Sequence, residues 1–316
     1  MDNYRVTILL ATFNRAHLIE ETLNSIKSQT YTNWECIIVD DHSTDDTPKV
    51  VSSHIAEDSR FSYFLKTEDY KKGLSGTRNY GLDLARTRNA KYIQFFDDDD
   101  IMHPQKLERQ ITPFIENPTL NFTVCKFEKL IEDENGDLQS LKPEFNLHHQ
   151  HLGDAILTGR FRMNNLGPIW NMTIIDQFRF DEELAYAEEW ELFTRLGYLF
   201  PNNYKVVDEF LFTYRKHNKS LTLGGDKNYE RRKTSAIIRI KIFEFLTNNK
   251  LHTPDSIRFL IESFLLKAYY PELLKELYSY CEQDQNLSSK YNFYIKMAMS
   301  ITKYYRKIII RLGSWI

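Results

Sequence analysis

Short apolar runs alternate with segments of helical periodicity over roughly the first hundred residues. Between the runs, apolar residues such as Leu18, Leu23 and Ile26 recur at the spacing of one helix face. Strands that alternate with helices imply a parallel sheet with helices packed against it, so the pattern predicts an α/β fold. Four runs are predicted strands: VTILL (6–10), CIIVD (36–40), FSYFL (61–65) and YIQFF (92–96).

Three polar loops directly follow predicted strands. ATFNR (11–15) follows the first strand, DDHSTDD (40–46) the second and DDDD (97–100) the fourth. In open α/β sheets, ligands bind beyond the carboxyl ends of the strands, where such loops meet. We therefore expect these three loops to converge on one rim of the sheet and to form the functional site.

The pattern changes after about residue 121. FTVCKFEKL (122–130) is predicted to be a strand and ENGD (134–137) a hairpin turn, whereas residues 142–154 show no clear periodicity. The fold of this stretch is the part of the chain that the sequence specifies least.

The C-terminal part of the chain has a different character. From about residue 229 onward, apolar stripes at helical spacing predict helices. The loop KSLTLGGDKN (219–228) separates this part from the preceding strands. We therefore predict a first domain at 1–222 and a helical C-terminal extension at 223–316.

Composition excludes several classes of protein. With 42% hydrophobic residues, the 316-residue chain can bury a substantial core, so global disorder is excluded. Its formal charge of −3 provides no overall attraction to nucleic acid, and we predict no nucleic-acid partner. Three widely spaced cysteines form no disulfide framework or metal motif. Without a signal peptide or an apolar span of about 20 residues, the chain is expected to be cytoplasmic, at most bound peripherally to the inner face of the membrane.

Four consecutive carboxylates, Asp97–Asp100, close the fourth predicted strand. So many negative charges in one loop repel one another and raise their own pKa values unless a cation balances them. Hard oxygen ligands favour Mg²⁺ or Mn²⁺, which also accept phosphate oxygens as ligands. The alternative is a solvated acidic turn that caps the helix predicted to begin near Pro104. Because one carboxylate suffices for a cap, we favour a metal–diphosphate site.

Five motifs occur in an order that resembles family 2 glycosyltransferases of the GT-A fold, and the resemblance extends from about residue 5 to about residue 222. It implies a mixed, mostly parallel sheet flanked by helices, and transfer of a single sugar with inversion from a nucleotide-diphosphate sugar, with a UDP-sugar favoured. It also implies a divalent metal cofactor, Mn²⁺ or Mg²⁺, and a saccharide or lipid-linked saccharide acceptor in polysaccharide or glycoconjugate biosynthesis. The motifs are ATFNR (11–15), VDDHSTD (39–45), GTRNYGL (76–82), FFDDDD (95–100) and AEEWEL (187–192).

The resemblance assigns a nucleotide-sugar site to the loops after the predicted strands. Phe13 matches an aromatic position near the donor base, and Asp41 matches an acidic residue that hydrogen-bonds the base. Arg78 matches an arginine near the diphosphate, where a planar guanidinium suits phosphate oxygens. The alternatives are a helix-capping role for Asp40 or Asp41 and a surface position for Arg78. The predicted nucleotide-sugar-binding residues are Thr12, Phe13, Arg15, Asp41, Arg78, Asp97 and Asp98.

The metal ligands that the resemblance implies lie in two motifs. Asp99 aligns with the best metal ligand of the family's acidic signature and Asp97 with a second, whereas Asp100 is expected to be structural. His217, in YRKHNKS, matches a histidine that completes the metal shell or contacts the diphosphate; its alternative is an ordinary loop residue. The histidines at 148–151 lack a fourth ligand for zinc and are assigned to the acceptor-loop surface.

The general base is predicted at the start of a helix. AEEWEL resembles a motif whose second acidic residue deprotonates the acceptor hydroxyl, and that residue is Glu189 here. Because the family more often has Asp at this position, Glu188 remains a rival. The alternative is an exposed helical face, since acidic residues are ordinary in a first helical turn. With the upstream motifs in place, we favour catalysis.

Two other functions and a membrane contact complete the expectations. A nucleotidyltransferase can share a metal site at the strand rim, but its first loop needs glycine and lysine, which ATFNRAH lacks. A non-catalytic sugar-nucleotide-binding protein would lack the base. Residues 302–316 combine cations and aromatic rings around an apolar run, which favours a helix on the membrane surface; a helix packed on its neighbours is the alternative.

Overall fold

The structure is a computed structural model that describes residues 4–132, 138–144, 146–216 and 228–267, together with Ser279 and Ser300. The chain divides into two compact units, Met1–Gly224 and Gly225–Ile316. Several predictions fall outside the described residues: the metal ligand His217, the hairpin turn at 134–137, the loop at 219–228 except its last residue, most of the helical extension beyond residue 267 and the membrane segment at 302–316.

The first unit is built on one sheet, which has nine strands in the described part of the chain. Strands and helices alternate as far as β4, as the sequence predicts. The strands are β1 (Val6–Thr12), β2 (Trp34–Asp40), β3 (Phe61–Leu65), β4 (Tyr92–Asp97), β5 (Ile101–Met102), β6 (Phe122–Glu132), β7 (Leu138–Leu141), β8 (Pro168–Asn171) and β9 (Tyr204–Lys216).

Seven helices accompany the sheet in the described part of the first unit, and most of them begin directly after a strand or its loop. They are α1 (Ile19–Lys27), α2 (Thr47–Glu57), α3 (Leu74–Thr87), α4 (Lys106–Glu116), α5 (Leu152–Leu157), α6 (Met172–Ile175) and α7 (Glu188–Leu199).

The sheet is mixed and mostly parallel, with the order β3-β2-β1-β4-β8-β6-β9-β5 and with β7 paired to β6. Strands β1 to β4 pair in parallel, and so do β6 and β9. Strand β8 is antiparallel to both β4 and β6, so β6 and β9 point in the same direction as β4. The predicted α/β fold with a mixed, mostly parallel sheet is confirmed.

Core clusters lie on both faces of the central strands. Every residue of β1 and β2 is buried, which explains why these runs are largely apolar along their whole length. Because side chains alternate between the two faces of a strand, Ile8 and Leu10 pack in one core cluster and Leu9 in the other. Ile38 and Val39 of β2 divide in the same way.

The register of the parallel strands aligns the polar loops. Thr12 at the end of β1 lies opposite Asp40 at the end of β2, and Ala11 lies opposite Asp97 at the end of β4. The loops that follow these three strands therefore begin side by side. Their predicted convergence on one rim is confirmed.

The described part of the second unit is helical. It contains α8 (Asn228–Asn248) and α9 (Pro254–Lys267), with Ile242, Leu246 and Ile257 among its buried residues. Across the described ranges of both units, no helix has the length and apolar composition needed to cross a bilayer.

Candidate active site

The loop after β1 meets the acidic loop after β4. The backbone N–H of Phe13 donates to the Asp98 carboxylate at 3.3 Å, and the Arg15 guanidinium lies 3.4 Å from the same carboxylate. The Thr12 side chain lies near Asp98 and acts to lower the pKa of its carboxyl. The Phe13 ring is 37% exposed, and the Lys72 ammonium lies 4.9 Å from its centroid. An aromatic face is therefore presented at the rim, where a planar base can stack.

Two aspartates at the end of β2 have different tasks. Asp40 is fully buried and accepts hydrogen bonds from the Ser43 N–H at 2.8 Å and the Tyr63 hydroxyl at 2.6 Å. These contacts hold the loop after β2, so Asp40 is a structural residue. Asp41 faces the start of α3, where its carboxylate accepts from the Gly73 N–H at 2.7 Å.

Lys66 ties the loop at 66–73 to Asp41. Its buried ammonium lies 2.9 Å from the Asp41 carboxylate and donates to the carbonyls of Tyr70 and Lys71, also at 2.9 Å. A buried ammonium needs partners of this kind because an unpaired charge in the protein interior is costly. Sequence reasoning missed Lys66, whose only signal is a lysine directly after the third predicted strand. The tight turn also explains Gly76, where a Cβ would lie 2.1 Å from the Lys71 carbonyl.

The acidic loop after β4 holds its carboxylates under strong mutual repulsion. Burial, and then the neighbouring charge of Asp99, raises the pKa of Asp98 to about 7. Burial and Asp99 also raise the pKa of Asp100 well above its ordinary value. Asp100 accepts from the Arg215 N–H at 2.7 Å, and its other carboxylate oxygen is buried without a hydrogen-bond partner. Asp100 therefore anchors the loop to β9, in keeping with the structural role expected for it.

Arg215 of β9 closes this loop from the opposite strand. Its guanidinium donates to the backbone carbonyl of Asp99 and to the Glu21 carboxylate on α1. The end of β9 is thereby fixed against the acidic loop, and the partly exposed side chain of Asp99 remains at the rim.

The acidic loop suits a hard divalent cation. Its side chains supply only carboxylate oxygens, which are the ligands that Mg²⁺ and Mn²⁺ prefer, and one buried oxygen of Asp100 has no hydrogen-bond donor in the described residues. In the described ranges no three His, Cys, Asp or Glu side chains form a complete metal site by themselves. Mg²⁺ is commonly held by one or two carboxylates together with substrate phosphates, so a complete protein cage is not required.

Arg78 joins the acidic loop to helix α7. Its side chain is buried, and it donates to the Asp97 carboxylate and to the Glu188 carboxylate, each at 2.7 Å. Burial lowers the pKa of a guanidinium, but Asp97 and Glu188 raise that of Arg78 above its ordinary value. We call Arg78 with these two carboxylates and Asn165 the Arg78 junction.

Asn165 completes the Arg78 junction. It is fully buried, and its amide oxygen accepts from Arg78 Nε at 2.9 Å and from Nη2 at 3.2 Å once the amide is oriented with its acceptor toward these donors. The backbone of Asn165 also acts to lower the pKa of Glu189, against the larger effect of burial. Sequence reasoning missed Asn165 because it belongs to none of the five motifs.

Glu188 and Glu189 open helix α7, and their environments differ. The chain enters the helix through Ala187, whose φ of 57° is left-handed. Glu188 is buried against Arg78, whereas Glu189 keeps partial access to solvent. Burial, and then the charge of Glu188, raises the pKa of Glu189 to about 8. Glu189 thus combines a raised pKa with better access to a ligand than Glu188 has.

Comparison with known proteins identifies the family. The sequence profile described as "Glycosyl transferase family 2" matches residues 7–174, which is more than half of the chain. The chain belongs to this family. A curated relative, the Campylobacter jejuni GalNAc(5)-diNAcBac-PP-undecaprenol beta-1,3-glucosyltransferase, is 28% identical over 278 residues, which cover 86% of this glycosyltransferase and 84% of the relative.

Solved structures show the same fold for this family 2 glycosyltransferase. S. aureus TarS 1–349 in complex with UDP-GlcNAc has a TM-score of 0.66 at 20% identity and covers 96% of this chain and 92% of that chain. Glucosyl-3-phosphoglycerate synthase from Mycobacterium tuberculosis in complex with Mg²⁺ and UDP has a TM-score of 0.51 at 13% identity, covering 75% and 79%. These likenesses support the GT-A architecture.

Most residues predicted for the glycosyltransferase site lie close together. Thr12, Phe13, Arg15 and Asp98 surround one end of the acidic loop, and Asp97 meets Glu188 at Arg78. Asp41 lies at the start of α3. Arg78, predicted near the diphosphate, is buried and bound to protein carboxylates, so any role toward phosphate stays a prediction.

A cavity lies elsewhere in the glycosyltransferase. It has a volume of about 530 Å³ at the start of β9, whereas Arg215 near the other end of this strand contacts the acidic loop. The assignment of its histidines to an acceptor-loop surface stays a prediction. The lining residues are His148, His149, Gln150, Tyr204, Lys205 and Val206.

Proposed function

We propose that this family 2 glycosyltransferase moves one sugar, with inversion, from a UDP-sugar to a saccharide or lipid-linked saccharide acceptor, with Mn²⁺ or Mg²⁺ as cofactor. The observation that supports this most strongly is the Arg78 junction, at which the acidic loop (Asp97) and the base helix (Glu188) share one guanidinium. A donor diphosphate at the acidic loop and an acceptor at Glu189 would then lie side by side.

On the donor side, Phe13 stacks on the base and Asp41 accepts a hydrogen bond from a base N–H. Arg15 and the Phe13 N–H support Asp98, which with Asp97 faces the ribose and the diphosphate, and Thr12 is a further candidate contact to the donor. UDP as the carrier is supported by TarS and by the Mycobacterium tuberculosis synthase, whose structures contain UDP-GlcNAc and UDP.

Asp99 and Asp97 would hold the metal ion, and His217 is a further candidate ligand outside the described residues. A divalent ion supplies Lewis-acid stabilisation of the charge that develops on the leaving diphosphate. Metal use is supported by the oxygen-only chemistry of the loop and by the Mg²⁺ in the Mycobacterium tuberculosis structure.

On the acceptor side, Glu189 acts as the general base. Its carboxylate takes the proton of the acceptor hydroxyl while the hydroxyl oxygen bonds to the anomeric carbon. The bond from that carbon to the diphosphate breaks on the opposite face, and its electron pair leaves with the nucleoside diphosphate. Because a single displacement inverts the anomeric carbon, one base on the acceptor side is sufficient.

A lipid-linked acceptor is supported by the Campylobacter jejuni relative, whose name specifies a PP-undecaprenol-linked substrate. Such an acceptor would keep the enzyme at the cytoplasmic face of a membrane, with residues 302–316 as a peripheral contact. Co-sedimentation with anionic liposomes tests this contact. Full-length protein is expected to partition more strongly than a chain ending near Ser300, and equal partitioning contradicts it.

The proposed reaction is tested by incubating the protein with Mn²⁺, a panel of nucleotide sugars and lipid-linked saccharides. Release of UDP that depends on the acceptor supports the proposal. Release of pyrophosphate from a nucleoside triphosphate and a sugar phosphate would instead indicate a nucleotidyltransferase. Binding of a sugar nucleotide without release of either product would indicate a non-catalytic binding protein.

A further inference from the structure

Glu188 and Glu189 are adjacent, yet only Glu188 is bound by the buried guanidinium of Arg78. A general base must hold its carboxylate in one orientation, because a displacement of about 1 Å can cost 10²-fold in rate. The orientation of Glu189 therefore needs another support. The link from Arg78 to Glu188 supplies it indirectly, because both glutamates lie in the first turn of α7.

The side chain of Asn165 is bound on the other side of this link. Its oxygen accepts from Arg78 Nε and Nη2, while Nη1 donates to Glu188 and Nη2 also donates to Asp97. All three guanidinium nitrogens are thus engaged. Removing the Asn165 acceptor would leave Nε buried without a partner, and a buried unsatisfied donor is destabilising enough to force the group to move.

We propose that Asn165 is a positioning residue for the transfer reaction: its side chain sets the orientation of Arg78, and Arg78 in turn fixes the helix turn that carries Glu189. Asn165 thereby acts on the base indirectly, through the guanidinium that binds Asp97 and Glu188. This inference rests on the proposed function, since it assigns a task at the same site. Asn165 touches other protein groups and not the reacting atoms.

A neutral amide suits this position better than a carboxylate. Three carboxylates, those of Asp97, Glu188 and Glu189, already surround Arg78. A fourth negative charge would oppose the ionised form of Glu189, which is the form a base requires. The amide oxygen accepts from Arg78 without adding charge.

The test replaces Asn165 with Leu, which keeps the branch at Cγ but removes the acceptor. We expect kcat to fall about 10–100-fold while the donor KM and the affinity for UDP change less than about threefold. The matched control is Asn164→Leu, since the Asn164 side chain accepts a hydrogen bond from the Gly167 N–H within the same turn and, in the described residues, makes none to Arg78 or Glu189. This control is expected to retain kcat within about threefold.

A double-mutant cycle separates positioning from a general loss of structure. Asn165→Leu and Glu188→Gln both act through Arg78. The loss of kcat in the double variant should therefore be smaller, by about fivefold or more, than the product of the two single losses. For Asn164→Leu combined with Glu188→Gln, the loss of kcat should equal the product of the two single losses. Should Asn165→Leu not fold, Asn165→Ala is measured in its place with the same expectation.

Three results would overturn the inference. They are a kcat of the Asn165 variant within about threefold of wild type, a loss of kcat/KM that comes entirely from a rise in KM, and a loss of kcat in the double variant with Glu188→Gln that equals the product of the two single losses. If the wild-type protein transfers no sugar, the proposed function fails instead. The Arg78 Nε–H resonance in ¹⁵N NMR still tests the contact in that case. Its shift and slow exchange should be lost in Asn165→Leu, and an unchanged resonance contradicts the coupling.

Discussion

The acidic loop at 97–100 and the first turn of α7 both cluster carboxylates, but they balance them differently. In the α7 turn, Glu188 is bound directly by the buried guanidinium of Arg78. In the loop, Asp100 is held by a backbone N–H and keeps one buried oxygen without a partner. Arg78 is shared between the two clusters, so the difference between them is that only the loop buries a carboxylate oxygen, one of Asp100, without a hydrogen-bond partner in the described residues.

This difference determines whether each cluster is suited to bind a cation or a proton. An excess of carboxylate oxygen in the loop suits a cation. In the α7 turn, a single carboxylate with a raised pKa suits a proton, and that carboxylate is Glu189. Adjacent residues of similar chemistry thus receive different tasks from the partners that the fold places beside them.

Removing Asp99 from the acidic loop should have the largest effect on UDP binding and turnover. Asp99→Ala deletes the proposed metal ligand, and we expect metal-dependent UDP binding to disappear and turnover to fall on the order of 10³-fold or more. Calorimetry and a UDP-release assay measure the two effects. Asp100→Asn is the control, because it keeps the acceptor oxygen for Arg215 and should retain metal-dependent binding. Loss of binding in both variants would mean that the loop acts as one structural unit.

Substitution of the two glutamates in the first turn of α7 should give different losses of kcat. Glu189→Gln removes the proton acceptor, so kcat is expected to fall about 10²–10⁴-fold while UDP affinity stays the same. Glu188→Gln keeps an oxygen for Arg78 and should lower kcat by only about tenfold. Steady-state kinetics with calorimetry distinguish them. A larger loss in Glu188→Gln would transfer the role of base to Glu188.

The raised pKa of Glu189 predicts a pH dependence. A base acts only when deprotonated, so kcat/KM should fall about tenfold for each pH unit below the pKa of the base. Because burial and Glu188 raise that pKa to about 8, the fall should begin near neutral pH and not near 4.5. A pH–rate profile of wild type measures it. A profile that stays flat down to pH 5 contradicts the assignment.

The same shift has a consequence of opposite sign for stability. The folded protein holds the Glu189 proton up to a higher pH than the unfolded chain does, so this group's contribution is full below about pH 4.5 and is lost as pH rises through about 8. Glu189→Gln should therefore flatten the decline of unfolding free energy across this window. Urea unfolding at several pH values measures it, and an unchanged decline would place the titrating group elsewhere.

Ala187 should give the smallest effect. Its left-handed backbone is unfavourable for a residue with a Cβ, so Ala187→Gly is expected to stabilise the protein by about 1 kcal/mol and Ala187→Val to destabilise it by a similar amount. Urea unfolding measures both. Destabilisation by glycine would show that the entry to α7 is not under backbone strain.

The sequence predicts the strands and polar loops of the first hundred residues well because their signals are local. Strands β1 and β2 are short buried runs, and polar loops follow them directly, so the rim could be located from spacing alone. The acidic loop is equally visible as four adjacent aspartates.

The partners of these residues were not predictable from local patterns. Arg78 binds Glu188 across 110 residues of sequence, and no periodicity links the two positions. Asn165 lies in the irregular stretch before β8, and Lys66 reaches Asp41 only because β2 and β3 pair in parallel. Whether a carboxylate anchors a loop or performs chemistry therefore depends on tertiary contacts.

The central claim is that the acidic loop holds a divalent cation together with the diphosphate of the donor. Calorimetric titration of UDP into the wild-type protein, with and without Mn²⁺, tests it most directly. The account predicts binding heat with Mn²⁺ that is lost when Mn²⁺ is withheld. Binding of equal strength without the metal, or no binding in either condition, would contradict it.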